Sequence, residues 1–150
     1  MGAMSGSAST DIDAPIEAVW AIVQDVESAP KWQRGIDATV VLTRDEDGRA
    51  TCCDTVTNMK VKVFAGRVEF EFAAPARLSW VQQSGDLKAM HGSWQLEDLG
   101  DGRTRATYAL HADPGVLLSR FIKGALEEKL RTLLIEGRPA ELKARAEAAI

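Results

Sequence analysis

The sequence predicts an α+β fold in which a curved, seven-stranded antiparallel sheet, two short helices and a long C-terminal helix enclose a cavity. Three observations predict it. Two short helical patterns stand close together near the start of the chain, and about six strand-like segments follow with only turn signals between them. A single long helical pattern with an apolar stripe then closes the chain. Short connections favour antiparallel neighbours, because parallel pairs need crossover helices.

Each element has its own warrant. Residues 5–12 alternate small and polar side chains as a first strand would. Asp13-Ala14-Pro15 reads as a helix start, with Asp13 as N-cap, Pro15 in the first turn and Glu17 near the positive end of the dipole. The first helix is expected to reach about Gln24, burying Ile16, Val19, Trp20 and Val23 at i, i+3, i+4 and i+7. A second short helix, Val26 to Arg34, contains Pro30 and Trp32 and ends at Gly35. From Ile36 to Ala112 strands alternate with turn signals at Asp45-Glu46-Asp47-Gly48, Ala65-Gly66, Ala74-Pro75, Ser84-Gly85-Asp86 and Gly100-Asp101-Gly102. Asp113-Pro114-Gly115 is expected to open the terminal helix. Its stripe comprises Leu118, Phe121, Ile122, Ala125, Leu126 and Leu133, and Gly137 with Pro139 should kink or interrupt it.

One long helix cannot fill the concave side of a strongly bent sheet. Where it spans that side without reaching the floor, a pocket remains, apolar with a few polar groups, suited to a hydrophobic small molecule.

Composition agrees with one ordinary domain. The chain has 150 residues, 45% of them hydrophobic, with 18 Lys and Arg against 22 Asp and Glu and a net charge of −4. A domain of that length buries roughly 68–70% of its unfolded surface and needs neither disulfide staples nor a structural metal. No apolar run approaches the roughly 18 residues of a membrane span, and the basic residues lie scattered, so neither a transmembrane segment nor a nucleic-acid partner is expected. Residues 1–4 read as an expression remnant or disordered start, and residues 5–150 as the domain. No secretory signal is visible, and the expected location is cytoplasmic.

Cys52 and Cys53 are adjacent, so in a strand they point to opposite faces and a bridge between them would be strained; both read as small apolar side chains. His91 and His111, twenty residues apart, lack metal-site spacing. No metal and no cofactor is expected.

Asp11-Ile12-Asp13-Ala14-Pro15-Ile16-Glu17-Ala18-Val19-Trp20, Asp25, Pro30-Lys31-Trp32, Gly92-Ser93-Trp94-Gln95-Leu96 and Gly102-Arg103-Thr104-Arg105-Ala106-Thr107 resemble the START-like polyketide cyclase/dehydrase and lipid-transport superfamily, SRPBCC. The resemblance covers residues 5–150. It implies the helix-grip fold, whose element order is the one derived above, and members that range from lipid, sterol and quinone carriers to aromatase/cyclases. It also implies a cavity lined by inward strand residues, the aromatic after the early Pro and the inner face of the last helix: Trp32, Met59, Phe70, Trp80, Met90, Trp94, Tyr108 and Phe121, with Trp32 at the mouth.

Aromatase/cyclases of this superfamily use a cavity Arg in the strand region that here reads Asp54-Thr55-Val56-Thr57-Asn58-Met59, which contains none. Arg67, the nearest, alternates with Val68 and Phe70 and is expected on the solvated face. Tyr108, Thr57 and Glu128 are the candidates for proton transfer; His91 and His111 fall out of phase with the inward residues. Two function classes follow. One is a carrier or sequestering protein for a lipid, isoprenoid or polyketide, as monomer or homodimer and compatible with transient membrane contact; the other is a cyclase/aromatase/dehydrase acting on a poly-β-keto or related substrate in the same cavity. A third arrangement, in which the apolar helix stripe binds a protein and the pocket is collapsed, also fits the pattern.

Overall fold

Strand-forming residues with period-two alternation build most of the molecule. The computed structural model describes residues 3–58 and 62–149. Seven strands, β1 (Met4–Ile12), β2 (Ile36–Arg44), β3 (Ala50–Asn58), β4 (Val63–Ala73), β5 (Arg77–Gly85), β6 (Ala89–Gly100) and β7 (Arg103–Asp113), form one antiparallel sheet in the order β1-β7-β6-β5-β4-β3-β2. Consecutive strands from β2 to β7 are neighbours, the meander expected from the short turns, and β1 closes against β7.

Three expectations need correction. Met4 does not precede the domain: it pairs with Ala112 as the first residue of β1, and its side chain is buried. Asp13 does not cap the first helix, α1 (Ile16–Val23). The cap position is Pro15, and the Asp13 carboxylate instead accepts from Arg103 Nε at 3.0 Å, across from the adjoining strand. The second short helix is a 3-10 turn over Val26–Lys31, shorter than the range read from the sequence. Its brevity suits Pro30, which lacks the N–H that a longer helix would use.

The C-terminal helix also starts later than expected. After β7 comes a single turn, α2 (Val116–Ser119), and then Lys123 in an extended conformation and Gly124 at φ +61°, which break the helical path before α3 (Gly124–Arg131). The break takes Phe121 out of the apolar stripe. Ile122 is buried, but Phe121 is 69% exposed beside Val116 and Leu117.

α3 continues through a π turn, Thr132–Glu136, into α4 (Arg138–Ala148). Gly137 N donates to Thr132 O at 2.8 Å, the five-residue spacing of a π turn. Sequence explains its position: Pro139 has no N–H to give Ile135, and its ring would collide with that carbonyl in a straight α-helix. The expected interruption at Gly137 and Pro139 is therefore a widened turn within one helix.

Ile12, Val19, Leu130 and Leu142 are fully buried where α1, α3 and α4 meet the sheet. Each such side chain contributes about 1.5–3 kcal/mol through burial. Between the sheet, the 3-10 turn and the C-terminal helix a space stays open.

Candidate functional site

Inward parity on five strands assembles the site. Thr55 and Thr57 of β3, Phe64, Val68 and Phe70 of β4, Leu78 and Trp80 of β5, Met90 and Trp94 of β6, and Tyr108 and Leu110 of β7 line one cavity. Val26, Ala29 and Trp32 from the 3-10 turn and its flank, and Leu134 and Arg138 from the C-terminal helix, close it. Its volume is about 140 Å³. That is the scale of an apolar cavity of ~150 Å³ known to stay dry and take up benzene. Asp25 and Ala65, both exposed, mark where the lining reaches the surface.

Aromatic rings run along its floor. Trp32 lies 6.2 Å from Trp94, Trp94 lies 4.7 Å from Tyr108, Tyr108 lies 5.6 Å from Trp80, and Trp80 lies 6.4 Å from Phe70, all centroid to centroid and tilted. These separations favour ring pairs energetically.

Of the residues expected to line a cavity, Trp32, Phe70, Trp80, Met90, Trp94 and Tyr108 surround this one. Met59 lies outside the described residues. Phe121 does not line it, because the break at Lys123 and Gly124 turns that side chain to solvent. Among the proton-transfer candidates, Tyr108 and Thr57 face the cavity. Glu128 does not: it sits on the exposed face of α3, away from the sheet.

Several polar groups are accounted for elsewhere. Arg67 is exposed and pairs with Asp54 at 2.9 Å on the outer face, as alternation predicts for Arg67, so Asp54 faces outward too. His91 and His111 stack at 5.0 Å on that same outer face. Cys53 is buried without lining the cavity, and burial pushes its thiol up to about 11. Among the described residues, no group of three or more His, Cys, Asp or Glu is placed to hold a metal ion.

The site's one surprise is Arg138. It is 2% exposed, and its Nη1 donates to the Arg34 carbonyl at 2.6 Å and to Glu141 Oε1 at 3.0 Å, while Glu141 Oε2 accepts from Arg34 N at 2.9 Å. The guanidinium also lies beside the Tyr108 phenol. Burial raises that phenol above its ordinary value, partly offset by Arg138. A cavity arginine is thus present, on the helix and not in the strand region where it was sought. The signal was in the sequence: Leu134, Arg138 and Leu142 recur every four residues, so an arginine occupies the buried stripe of an amphipathic helix.

Residues 12–137 match the family model described as polyketide cyclase / dehydrase and lipid transport. Among solved structures, a START superfamily protein from Mycobacterium smegmatis superposes with TM-score 0.81 at 20% identity, covering 97% of this chain and 99% of its own. A protein from Thermus thermophilus gives TM-score 0.80 at 21% identity over 97% and 99% of the two chains. An aromatase/cyclase from Streptomyces sp. R1128 gives 0.75 at 12% identity over 97% and 94%. No curated protein matches the sequence. At these identities the structural likeness is one of fold. The family model, spanning most of the chain, goes further: this protein belongs to the polyketide cyclase / dehydrase and lipid transport family.

Proposed function

We propose that the protein binds a hydrophobic small molecule, a lipid, isoprenoid or polyketide, in the aromatic cavity and acts as its carrier or sequestering protein. The observation that carries this reading is the lining itself: a mainly apolar wall with five aromatic side chains, Trp32, Phe70, Trp80, Trp94 and Tyr108, set in a chain of ring contacts. Native mass spectrometry of the purified protein, with an organic extract of the denatured sample analysed alongside, tests it. A stoichiometric apolar companion released on denaturation is the expected result. A bare mass, together with failure to bind any hydrophobic probe, overturns the reading.

Transient contact with a membrane belongs to the same proposal. Val116, Leu117 and Phe121 are 69%, 75% and 69% exposed, and Arg120 and Lys123 stand among them, a combination suited to an anionic lipid surface.

One observation favours a second reading, a cyclase, aromatase or dehydrase. Tyr108 is a buried phenol next to a buried guanidinium, and the pair would polarise a carbonyl and move a proton. Tyr108→Phe separates the two readings: binding stays nearly intact in both, whereas turnover of a poly-β-keto substrate falls by about 10²-fold or more only if the phenol acts chemically.

A further inference from the structure

Two buried donors of the cavity wall have no acceptor. Trp32 Nε1 and Arg138 Nε are both shielded from solvent and make no hydrogen bond among the described residues, although the great majority of buried polar groups find a partner. Other polar side chains of the lining are satisfied within the fold: Thr55 Oγ1 donates to Gly66 O at 3.4 Å, and Gln82 Nε2 donates to Leu87 O at 2.9 Å. Trp32 and Arg138 are the exceptions among the described lining residues. The Arg138 Nη1 bond to Arg34 O ties α4 to the segment that carries Trp32, so the two vacant donors belong to elements already fastened together.

An indole N–H and a guanidinium N–H can only donate, so an acceptor is what both lack. From this we infer that Trp32 and Arg138 form an oxygen-binding pole of the cavity, which takes the neutral carbonyl oxygen of an otherwise apolar ligand. The charge balance selects a neutral acceptor over a carboxylate. Arg138 is the one cation among the described lining residues, and Glu141 already matches it at 3.0 Å. A ligand carboxylate would be a second buried anion against that single cation, with Asp25 at the opening adding repulsion. A ketone, ester or quinone oxygen would accept both N–H groups and leave the Arg138–Glu141 pair intact. This deepens the hydrophobic-ligand reading and rests on it.

Three probes of nearly equal shape, small enough for about 140 Å³, test the pole: ethylbenzene, acetophenone and benzoate. Each is titrated into the full chain and followed by amide and indole N–H NMR shifts. The chain has four tryptophans, and the indole signal missing from Trp32→Phe assigns Trp32. Acetophenone is expected to bind at least as tightly as the more hydrophobic ethylbenzene and to move the Trp32 indole proton downfield, which ethylbenzene does not. Trp32→Phe keeps an aromatic ring but removes the N–H, and should weaken acetophenone by about 3- to 10-fold, the scale of one hydrogen bond, while ethylbenzene changes less than about twofold. The paired change Arg138→Met with Glu141→Gln removes both charges together and should show the same selectivity. If it fails to fold, Trp32→Phe still decides.

Ethylbenzene binding tighter than acetophenone, with no effect of Trp32→Phe, means that the donors hold water only and overturns the proposal. Benzoate binding tightest also overturns it, in favour of an anion site. If none of the three binds, the hydrophobic-ligand reading itself falls; either of the first two failures leaves it standing.

Discussion

The indole of Trp80 lies across Gly92, its partner in the β5–β6 ladder. A Cβ built on Gly92 would stand 2.5 Å from Trp80 Cζ2 and 2.7 Å from the Ala109 carbonyl oxygen. The missing side chain is what seats the ring between Phe70 and Tyr108. Gly92→Ala should therefore destabilise the protein by about 1–3 kcal/mol, the usual cost of overpacking, because swinging the indole aside relieves only one of the two collisions. Thermal unfolding followed by circular dichroism measures the loss. An unchanged melting temperature would mean that the strand pair yields more easily than its close contacts suggest.

Tyr108 is the chain's only tyrosine, so ultraviolet titration reports on it alone. Burial raises the phenol above its ordinary value of 10.0, and the nearby Arg138 offsets part of that rise. Tyrosinate absorbance should therefore appear at higher pH than for a free tyrosine. The folded protein holds the phenolic proton more tightly than the unfolded chain. Stability from this group is then complete below pH 10 and declines as pH climbs toward the folded value. A midpoint at or below that of free tyrosine would contradict the burial.

Acid acts on ion pairs outside the cavity lining. Arg105 bonds Asp11 at 2.8 Å and Arg67 bonds Asp54 at 2.9 Å, and these hydrogen bonds hold both carboxyls below the ordinary 3.8; Lys143 does the same for Glu147. A lowered value in the folded state means stability that is present above the unfolded pKa and lost as pH falls through the folded one. Denaturant midpoints should hold steady from neutrality to about pH 5 and then drop below about pH 4. Added salt should blunt the effect, because these pairs are solvent-exposed.

Much of this architecture was legible in the sequence because it rests on local rules. The β6–β7 turn follows from Gly100-Asp101-Gly102, all three of which take positive φ. The inward sets Phe64, Val68, Phe70 and Trp94, Tyr108, Leu110 follow from strict alternation. Asp13 misled because a capping residue and an ion-pair partner are the same residue type, and Arg103 lies ninety residues away in the chain. Phe121 misled for a different reason: it has the spacing of a buried stripe, but Lys123 and Gly124 end the helix that would have buried it. The hydrogen bonds of Arg138 escaped because they depend on how α4 meets the Arg34 carbonyl, a contact between residues 104 apart.

The π turn sets which mutations the cavity can absorb. It fits one extra residue into the helix, and Arg138 faces inward only because α4 starts from that offset. Winding Thr132–Glu136 as plain α-helix with no residue removed would rotate everything beyond by about 100°, whereas deleting one residue there would restore the α-helix and leave the direction of α4 nearly unchanged. In the first case Arg138 would leave the cavity, with no change to its own codon. For this protein, a substitution that straightens the five-residue π turn changes the chemistry of the cavity more abruptly than substitution along its strands.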